Sequence, residues 1–366
     1  LVRYVSSVYL ESHPQCLLVK GDFVFADTSE DIEGSGNFAF NDFAEKIFAG
    51  YHTVVVRPKD LSFPRYYAYL FQSLNWKGQI QSLVNGVKVY SINKGHLKKT
   101  YLLIPPLAEQ EQIVSYLEDK TSKIDAYVAD KEKEILLLQE LKQKTIADAI
   151  TKGLNPDVKT KDSGISWIGE IPEHWEVKQL RSFLTLFTEK GHGDAQLLSV
   201  TREQGVIERD KDDKDENHNF VPDDLSGYKY IEKGDFAINK MKAWQGSYAV
   251  SNYDGIVSPA YFTCKLKGVN KDFFSKAIRS RAYVPFFTQY SKGIRVGQWD
   301  LNPNALKSIP FFIPPADEQR AIVSYIEEKC QKIDSLTTEL QSEIDYLKEY
   351  KQRLIADCVT GQVNVQ

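Results

Sequence analysis

A long internal repeat constrains this chain of 366 residues more than any other feature. Residues 104–151 align without a gap on residues 313–360, and 24 of the 48 aligned positions are identical. Two unrelated segments of this length would share only a few residues, so the chain contains a duplication. A duplicated sequence predicts a duplicated structural unit, and the fold is therefore expected to contain the same arrangement twice.

The repeat extends upstream with weaker similarity. The tetrapeptide KGDF occurs at residues 20–23 and again at 233–236, and GVKVYSINKGHLKK from Gly86 resembles GIRVGQWDLNPNALKS from Gly293. About 19 residues precede the first KGDF, whereas about 68 residues of the second globular part precede the second one. We therefore expect two globular domains, the first of which lacks its N-terminal strands. The position of the single methionine, Met241, fits a trimmed N-terminus.

Each strong copy of the repeat begins with two prolines and continues as a long charged segment. A proline pair cannot extend a strand ladder, and it favours the first turn of a helix. Acidic residues such as Glu109 and Asp317 follow at once, and they suit the positive end of a helix dipole. No proline or glycine interrupts residues 107–152 or 316–360. The two segments therefore predict helices of about 45 residues, each roughly 66 Å long.

Apolar residues recur every seven positions along the second helix, which is typical of a coiled coil. The expected seam consists of Leu117, Ile124 and Leu138 in the first helix and Ile326, Ile333, Leu340, Leu347 and Leu354 in the second. Ile322, Leu336 and Ile344 are expected to fill the space beside it. Two independent amphipathic helices remain an alternative, but matching seams of equal length favour an antiparallel pair within one chain.

Outside the helices the sequence predicts mixed, β-rich domains. Runs such as YHTVVVRP, DFAINKM and PAYFTCKL lie between glycine, asparagine and aspartate turn signals, with helices near residues 64–74 and 271–283. The predicted fold class is α+β, with two such domains joined by two long helices in an internal pseudo-twofold repeat. The expected boundaries are 1–106 for the incomplete first domain, 107–152 for the first helix, 153–164 for a linker, 165–315 for the second domain, 316–360 for the second helix and 361–366 for a tail.

The composition is that of an ordinary globular protein, with 42% hydrophobic and 26% charged residues. No stretch approaches 18 consecutive apolar residues, so no transmembrane helix is expected. The four cysteines, Cys16, Cys264, Cys330 and Cys358, are far apart and form no CxxC pair. They predict reduced thiols in a cytoplasmic protein rather than a disulfide framework or a zinc site.

The net charge of −4 hides two basic segments. Residues 57–99 hold eight lysines or arginines and one acid, and residues 240–307 hold eleven against three. Lysine and arginine bind phosphates, and amide and guanidinium groups can read base edges. The candidate DNA-binding residues are Lys88, Asn93, Lys94, Lys98, Arg202, Lys240, Lys242, Trp244, Gln245, Lys292, Arg295, Gln298 and Trp299. For any one of them an ordinary solvated side chain is the alternative, whereas the two segments together favour nucleic acid.

Sequence signals for catalysis are weak. The chain has no phosphate-binding loop and no G-x-G-x-x-G motif after a strand. The aspartate-rich run at residues 210–216 lacks the glycine and the final glutamate of a calcium-binding EF-hand loop. The six histidines are scattered, and a turn is the simplest explanation for His192 beside an acid. We therefore expect no catalytic residues and no metal site.

These features together resemble the specificity subunit of type I restriction-modification systems. The resemblance rests on LIPPLAEQEQIVSYLEDKTSKID, on FIPPADEQRAIVSYIEEKCQKID, and on SGISWIGEIPEHWEVKQL at residues 163–180, which resembles the start of the family's second target-recognition domain. KMKAWQG, DGIVSPAY and FADTSED also resemble segments of that family. The resemblance covers essentially the whole chain.

The resemblance implies two target-recognition domains held by two antiparallel helices, each domain reading one half of a bipartite, gapped double-stranded DNA target. It further implies two methyltransferase subunits, which bring S-adenosylmethionine, and endonuclease/translocase subunits, with no cofactor bound by this chain and no membrane partner. The helices would then act as a ruler for the spacer. Two alternatives stay open, namely the specificity module of another class of DNA modification enzyme and a coiled-coil scaffold whose end domains bind protein.

Overall fold

The computed structural model divides the chain into two compact units. Unit 1 comprises Leu1–Ile135 and Thr338–Gln366, and unit 2 comprises Leu136–Thr337. The structure describes residues 4–59, 63–86, 89–210, 221–293 and 299–365. Three of the predicted DNA-binding residues, Lys88, Arg295 and Gln298, lie outside the described residues, as does most of the aspartate-rich run.

Unit 1 is built on a three-stranded antiparallel sheet of order β4-β2-β6, with short pairs β1-β5 and β3-β7 beside it. Its strands are β1 (Leu17–Leu18), β2 (Phe23–Ala26), β3 (Thr28–Ser29), β4 (Phe38–Phe40), β5 (Ile47–Phe48), β6 (Thr53–Val56) and β7 (Tyr90–Ser91). Its helices are α1 (Tyr9–Ser12), α2 (Pro64–Gln72), α3 (Leu74–Leu83), α4 (Lys94–Leu97) and the first part of α5 (Leu107–Lys152).

The core of unit 1 follows from strand alternation. Phe23 and Phe25 point to the same face of β2 and are fully buried, as the two-residue period of a strand requires. They pack edge-on against Phe71 of α2, with ring centroids 5.0 and 5.4 Å apart. Trp76 of α3 closes the cluster, and Ser73 caps α3 by accepting a hydrogen bond from the Trp76 N–H.

Unit 2 contains a four-stranded antiparallel sheet of order β11-β18-β15-β16, with the pairs β8-β9, β10-β21, β12-β13, β14-β17 and β19-β20. Its strands are β8 (Thr160–Asp162), β9 (Glu170–Pro172), β10 (Glu176–Gln179), β11 (Leu184–Phe187), β12 (Leu198–Thr201), β13 (Gly205–Glu208), β14 (Lys229–Ile231), β15 (Phe236–Ile238), β16 (Tyr248–Val250), β17 (Gly255–Val257), β18 (Phe262–Leu266), β19 (Ser291–Lys292), β20 (Asp300–Leu301) and β21 (Pro310–Ile313). Its helices are α6 (Lys271–Ile278), α7 (Val284–Tyr290), α8 (Pro303–Ser308), the end of α5 and the start of α9 (Ala316–Val359).

The two KGDF tetrapeptides fold alike. Gly21 and Gly234 adopt φ values of 97° and 93°, a left-handed conformation that glycine reaches without steric cost. The aspartate that follows is buried in both units and accepts a local backbone N–H, from Val19 in unit 1 and from Glu232 in unit 2. The next residue, a phenylalanine, opens the central strand of each sheet. The duplication therefore extends to the globular parts.

The long helices run antiparallel inside each unit. In unit 1, Lys351 of α9 bonds Asp125 of α5 at 2.6 Å, and the α5 residue Lys131 lies 2.8 Å from Glu343. In unit 2, Lys142 lies 2.6 Å from Asp334. Because residue numbers rise along α5 as they fall along α9, these pairs require opposite helix directions. The predicted antiparallel pair is confirmed.

Most of the predicted seam is buried. Leu117, Ile124, Ile326, Ile333, Leu340 and Leu354 are buried, and Leu138 and Leu347 are partly buried. The expectation for Leu336 is wrong, because this side chain is 47% exposed. The second contact position falls four residues after each seam residue, at Cys330, Thr337 and Ile344. Leu336 lies one residue too early and points away. No helix among the described residues is long and apolar enough to cross a membrane.

Candidate nucleic-acid interface

In unit 2 a turn and a hairpin bring several predicted residues together. The hairpin strands β19 and β20 place Lys292 directly opposite Asp300. The Lys240 ammonium lies 3.0 Å from the same Asp300 carboxylate, and the Leu301 N–H donates to the Lys240 carbonyl at 3.1 Å. The turn after β15 is thus fixed to the base of the hairpin. Asp300 thus binds Lys240 and lies across the hairpin from Lys292.

Two tryptophans lie beside these lysines. The ring centroids of Trp244 and Trp299 are 5.2 Å apart with an interplanar angle of 56°, and both side chains are partly exposed. Trp244 belongs to a short 3-10 turn, and its carbonyl accepts a hydrogen bond from Thr288 Oγ1 at 3.0 Å. Lys242 precedes this turn and is exposed. The arrangement offers an aromatic surface flanked by cations, which suits a nucleic acid.

Gln245 follows Trp244 in this 3-10 turn, whereas Arg202 lies between β12 and β13. Both line a cleft of about 790 Å³ that lies wholly within unit 2. Arg279 fixes its wall, because its guanidinium donates to the carbonyls of Tyr248, Arg202 and Glu203 at 3.0, 3.0 and 2.8 Å. Burial lowers the pKa of Arg279 from its ordinary value. Arg279 is thus a structural cation, while the exposed Arg202 side chain projects from the β12-β13 turn.

In unit 1 the candidates lie on the short helix α4. Asn93 is its N-cap, since the side-chain oxygen accepts a hydrogen bond from the His96 N–H at 3.0 Å. The matching residue of the second copy, Asn302, caps α8 in the same way, at 2.8 Å. A capping role therefore accounts for asparagine at both positions. Lys94 and Lys98 are exposed on the same short segment.

Internal ion pairs use part of the positive charge that the two basic segments carry. Arg57 pairs with buried Asp22 at 2.6 Å, Arg65 with Asp42 and Glu118, Lys265 with Asp235, and Lys276 with Glu327. Counting charges along the sequence thus overstates what can meet a phosphate. Among the described residues, the cations without an ion pair at the two sites include Lys94, Lys98, Lys242, Arg281 and Lys292.

Arg281 is the residue that sequence reasoning missed. It is exposed and lines the same cleft as Arg202, together with Gln139 and Gln143 of α5. Arg281 lies in the second basic segment, but the residues next to it in sequence do not distinguish it from Arg279. The Arg279 guanidinium instead donates hydrogen bonds to backbone carbonyls of unit 2. The α5 residues Gln139 and Gln143 line the cleft because α5 packs against segments that are distant in sequence. No local sequence pattern predicts such packing.

The described residues include four cysteines but no metal-binding cluster. They contain no group of three or more histidine, cysteine, aspartate or glutamate side chains that could hold a metal ion. All four cysteines are free thiols. Burial raises the pKa of Cys264 to about 12 and that of Cys358 to about 11, so both stay protonated near neutral pH and are poor nucleophiles.

Comparison with known proteins agrees with the repeated architecture. A family model for the type I restriction modification DNA specificity domain matches residues 4–137. The chain is 23% identical over 331 residues to the EcoKI specificity subunit of Escherichia coli K12, a match that covers 85% of this chain and 68% of that protein. It is 25% identical over 319 residues to the MjaVIII specificity subunit of Methanocaldococcus jannaschii, covering 81% of this chain and 70% of that relative. Along most of its length the chain is thus similar to type I specificity subunits.

Two solved structures share the fold of this chain. One is a chain from work on complex assembly and conformational transition of the type I R-M system, with a TM-score of 0.66 at 16% identity, covering 94% of this chain and 82% of that one. The other is the HsdS subunit from Thermoanaerobacter tengcongensis, with a TM-score of 0.51 at 16% identity, covering 95% and 82%. At such identities the likeness concerns the fold, and the individual site residues of this chain stay predictions.

Proposed function

We propose that this chain is the sequence-specific DNA-binding subunit of a type I restriction-modification complex, and that each unit reads one half of a bipartite, gapped target. The observation that carries the proposal is the repeated domain, in a chain whose relatives along most of its length are type I specificity subunits. A target in two parts requires two readers, and the duplication supplies two domains built around the same central sheet.

In unit 2 the β19-β20 hairpin and the turn around Trp244 form the proposed reading surface. Lys242 and Lys292 are exposed cations that can neutralise phosphates, and each such contact makes affinity fall with salt. Gln245 has the amide that pairs with adenine in the major groove. Trp299 and Trp244 present ring surface next to them. Lys94 and Lys98 would play the phosphate-binding part in unit 1.

The proposed partners are double-stranded DNA, two methyltransferase subunits and endonuclease/translocase subunits. Exposed apolar side chains close together on the long helices support docking of protein, since contiguous exposed apolar groups mark interaction sites. In unit 2 these are Leu136, Leu137 and Leu141, and in unit 1 they are Tyr127, Tyr346 and Tyr350. We propose that the chain itself is non-catalytic and binds no cofactor, and that the methyltransferase subunits carry S-adenosylmethionine.

The test is the methylation pattern of the host genome. Deleting the gene is expected to remove one gapped, two-part methylated motif, because the methyltransferase loses its reader. Complementation with the wild-type gene restores the motif. Complementation with Trp299→Ala is expected to relax or weaken one half of the motif by about 1–3 kcal/mol and leave the other half unchanged.

A matched control is Trp167→Ala, since Trp167 is a partly exposed tryptophan of unit 2 that was not among the predicted DNA-binding residues and whose Nε1 donates to the Ala282 carbonyl. This variant is expected to keep both half-sites. An unchanged methylation pattern after gene deletion, with both partner subunits expressed, contradicts the proposed function.

A further inference from the structure

The cleft of unit 2 that contains Arg281 is lined both by the globular part and by the long helices of that unit. Its volume is about 790 Å³, and all of its lining residues fall within residues 136–337. The walls are the β12-β13 turn, the 3-10 turn that holds Gln245, the segment after α6, and one face each of α5 and α9. Gln245 follows Trp244 directly, so the cleft begins one residue away from the proposed reading surface.

The charged side chains of this cleft leave an excess of positive charge. Both acids that line it already face a cation, since the Lys142 ammonium lies 2.6 Å from the Asp334 carboxylate and the Arg202 guanidinium lies 3.3 Å from that of Glu203. The other two charged lining residues are arginines at positions 279 and 281, and neither forms an ion pair among the described residues. An anion that enters the cleft therefore meets two guanidinium groups that no carboxylate pairs with.

Several hydrogen-bond donors of the cleft are available to a ligand. Arg279 uses three N–H groups on backbone carbonyls, and a guanidinium has five, so two remain. The Arg281 guanidinium and the side-chain amides of Gln139 and Gln143 make no hydrogen bond among the described parts of the chain. Guanidinium and amide donors together suit a phosphodiester, which offers a negative charge and only acceptor oxygens.

Unit 1 does not repeat this pair of cations. When α2 and α6 are aligned from their first residues, residues 66–71 fall on residues 273–278, and the first and the last two residues of both segments are buried. The alignment places Gln72 at the position of Arg279 and Leu74 at the position of Arg281. The excess of positive charge is therefore a property of unit 2 and does not follow from the duplication.

We propose that this cleft of unit 2 binds the phosphate backbone of double-stranded DNA beside the base pairs that the Trp244 turn reads. Arg281 supplies the charge at the exposed rim, Arg279 supplies it at the wall, and Gln139 and Gln143 add donors from α5. The contact reads no base, because phosphates are alike in every sequence, and it contributes affinity and register. The inference rests on the proposed function and adds to it a subsite in which a long helix contacts DNA.

The composition of the cleft favours DNA over a polypeptide as the occupant. The exposed residues that line it are all polar or charged, namely Gln139, Arg202, Glu203, Arg281 and Asp334. The core of a protein-protein interface is instead depleted of charged residues and rich in aromatic ones. Protein-DNA interfaces are more polar and more positively charged, as this cleft is.

The experiment measures the salt dependence of DNA binding by the complex of this chain with its methyltransferase subunits, on a duplex that carries the motif lost on gene deletion. Arg281→Gln is expected to weaken binding by about tenfold and to reduce the slope of log affinity against log salt by about 0.9, the value for one phosphate contact. The loss is expected to be the same on duplexes with one altered base pair in either half-site. Arg281→Lys keeps the charge and is expected to keep the wild-type slope.

Matched controls come from the same unit. Arg181 is an exposed arginine that does not line the cleft, and Arg181→Gln is expected to bind DNA as the wild type does. Gln139→Glu adds a negative charge to the α5 wall and is expected to weaken binding by about tenfold. Gln331→Glu adds the same charge at an exposed position of α9 outside this cleft, and it is expected to change affinity by less than about threefold.

The place of the contact on DNA is tested with duplexes in which single phosphates are replaced by uncharged methylphosphonates. The wild-type complex is expected to lose affinity at linkages next to the half-site that Trp299→Ala affects. The Arg281→Gln complex is expected to lose little more at those linkages, because the substitution and the neutral linkage remove the same contact. Full additivity at every linkage contradicts the assigned contact.

The outcomes separate this inference from the proposed function. A wild-type salt slope in the Arg281→Gln complex overturns the inference, and so does a loss that depends on one base pair, which marks a base contact. Impaired assembly with the methyltransferase subunits, together with unchanged DNA binding by the assembled complex, assigns the cleft to protein and also overturns it. A wild-type complex without preference for the motif contradicts the proposed function and the inference together.

Discussion

An aspartate side chain holds the KGDF turn in both units, and in unit 1 this residue is Asp22. Its carboxylate is fully buried and accepts hydrogen bonds from the Val19 N–H at 2.8 Å and from the Arg57 guanidinium at 2.6 and 2.7 Å. In unit 2, Asp235 accepts from the Glu232 N–H and from Lys265, both at 2.9 Å. The short aspartate fits because its oxygens reach the backbone of the turn while the cation compensates its charge.

Asp22→Asn is expected to destabilise unit 1 by about 2 kcal/mol, since it removes hydrogen bonds to a charged group. Burial alone would raise the pKa of Asp22, but the hydrogen bonds from Arg57 and Val19 and the charge of Arg57 hold that pKa below its ordinary value. The stabilisation is therefore fully present above the unfolded pKa of about 3.9 and is lost as pH falls through the depressed folded value. Thermal unfolding of both proteins from pH 7 to pH 3 measures this.

The matched control is Asp119→Asn, an exposed carboxylate paired with Lys123 on the surface of α5. Its effect on the unfolding temperature is expected to be small, because solvent screens exposed pairs. A destabilisation by Asp22→Asn that stays constant down to pH 3 would argue against the charge as its cause.

Residue type alone did not separate structural from functional side chains. Asn93 was predicted to touch DNA, and the structure gives it a capping hydrogen bond that its counterpart Asn302 also makes. Both segments read as polar and basic in the sequence. The capping role depends on a helix of only four residues, which is too short to produce a periodic signal. Its DNA contact stays a prediction.

At the scale of elements, the two long helices were predictable because their signal is long and strictly periodic. Helix α5 spans Leu107–Lys152 and α9 spans Ala316–Val359. The sequence misplaced one detail, since Leu336 was expected to fill the space beside the seam, whereas the second contact position falls at Thr337. Thr337 is only weakly hydrophobic, so the sequence pattern does not mark it as a contact residue. The neighbouring Leu336 is strongly hydrophobic and was chosen instead.

Leu340→Ala is expected to destabilise the helix pair by about 2–4 kcal/mol, because it removes a buried side chain from the seam. Leu336→Ala changes the same residue type four positions earlier and is expected to cost less than about 1 kcal/mol. Urea unfolding followed by helical circular dichroism distinguishes them. Equal losses from the two substitutions would mean that Leu336 has a buried contact after all.

The short strands could be located only in part. DFAINKM and PAYFTCKL contain β15 and β18, which are internal to the sheet and rich in apolar residues. The pairing of β10 with β21 joins residues from opposite ends of the second domain. No local pattern specifies such a partner, because a strand signal reports burial and alternation rather than the identity of its neighbour.

At the scale of the whole molecule, the repeat predicted two equivalent units, and the structure assigns part of each long helix to both. The predicted boundaries put each helix in a segment of its own, as a reading along the chain naturally does. The compact units instead combine segments distant in sequence, since unit 1 includes both Leu1–Ile135 and Thr338–Gln366. Its core contains Ile113 and Leu117 together with Leu354, Ile355 and Val359.

That discontinuous core has a consequence for synthesis on the ribosome. The residues of unit 2 are all translated, and leave the ribosome, ahead of Leu354, Ile355 and Val359, so the nascent chain can complete its second unit while its first still lacks part of its core. This reverses the usual order, in which the N-terminal domain folds first. Protease treatment of ribosome-stalled chains, in which residue 345 is followed by a flexible linker that fills the exit tunnel, is expected to digest residues 4–106 and spare residues 160–313. Resistance of the N-terminal part at that length would mean that unit 1 closes without its last helical turns.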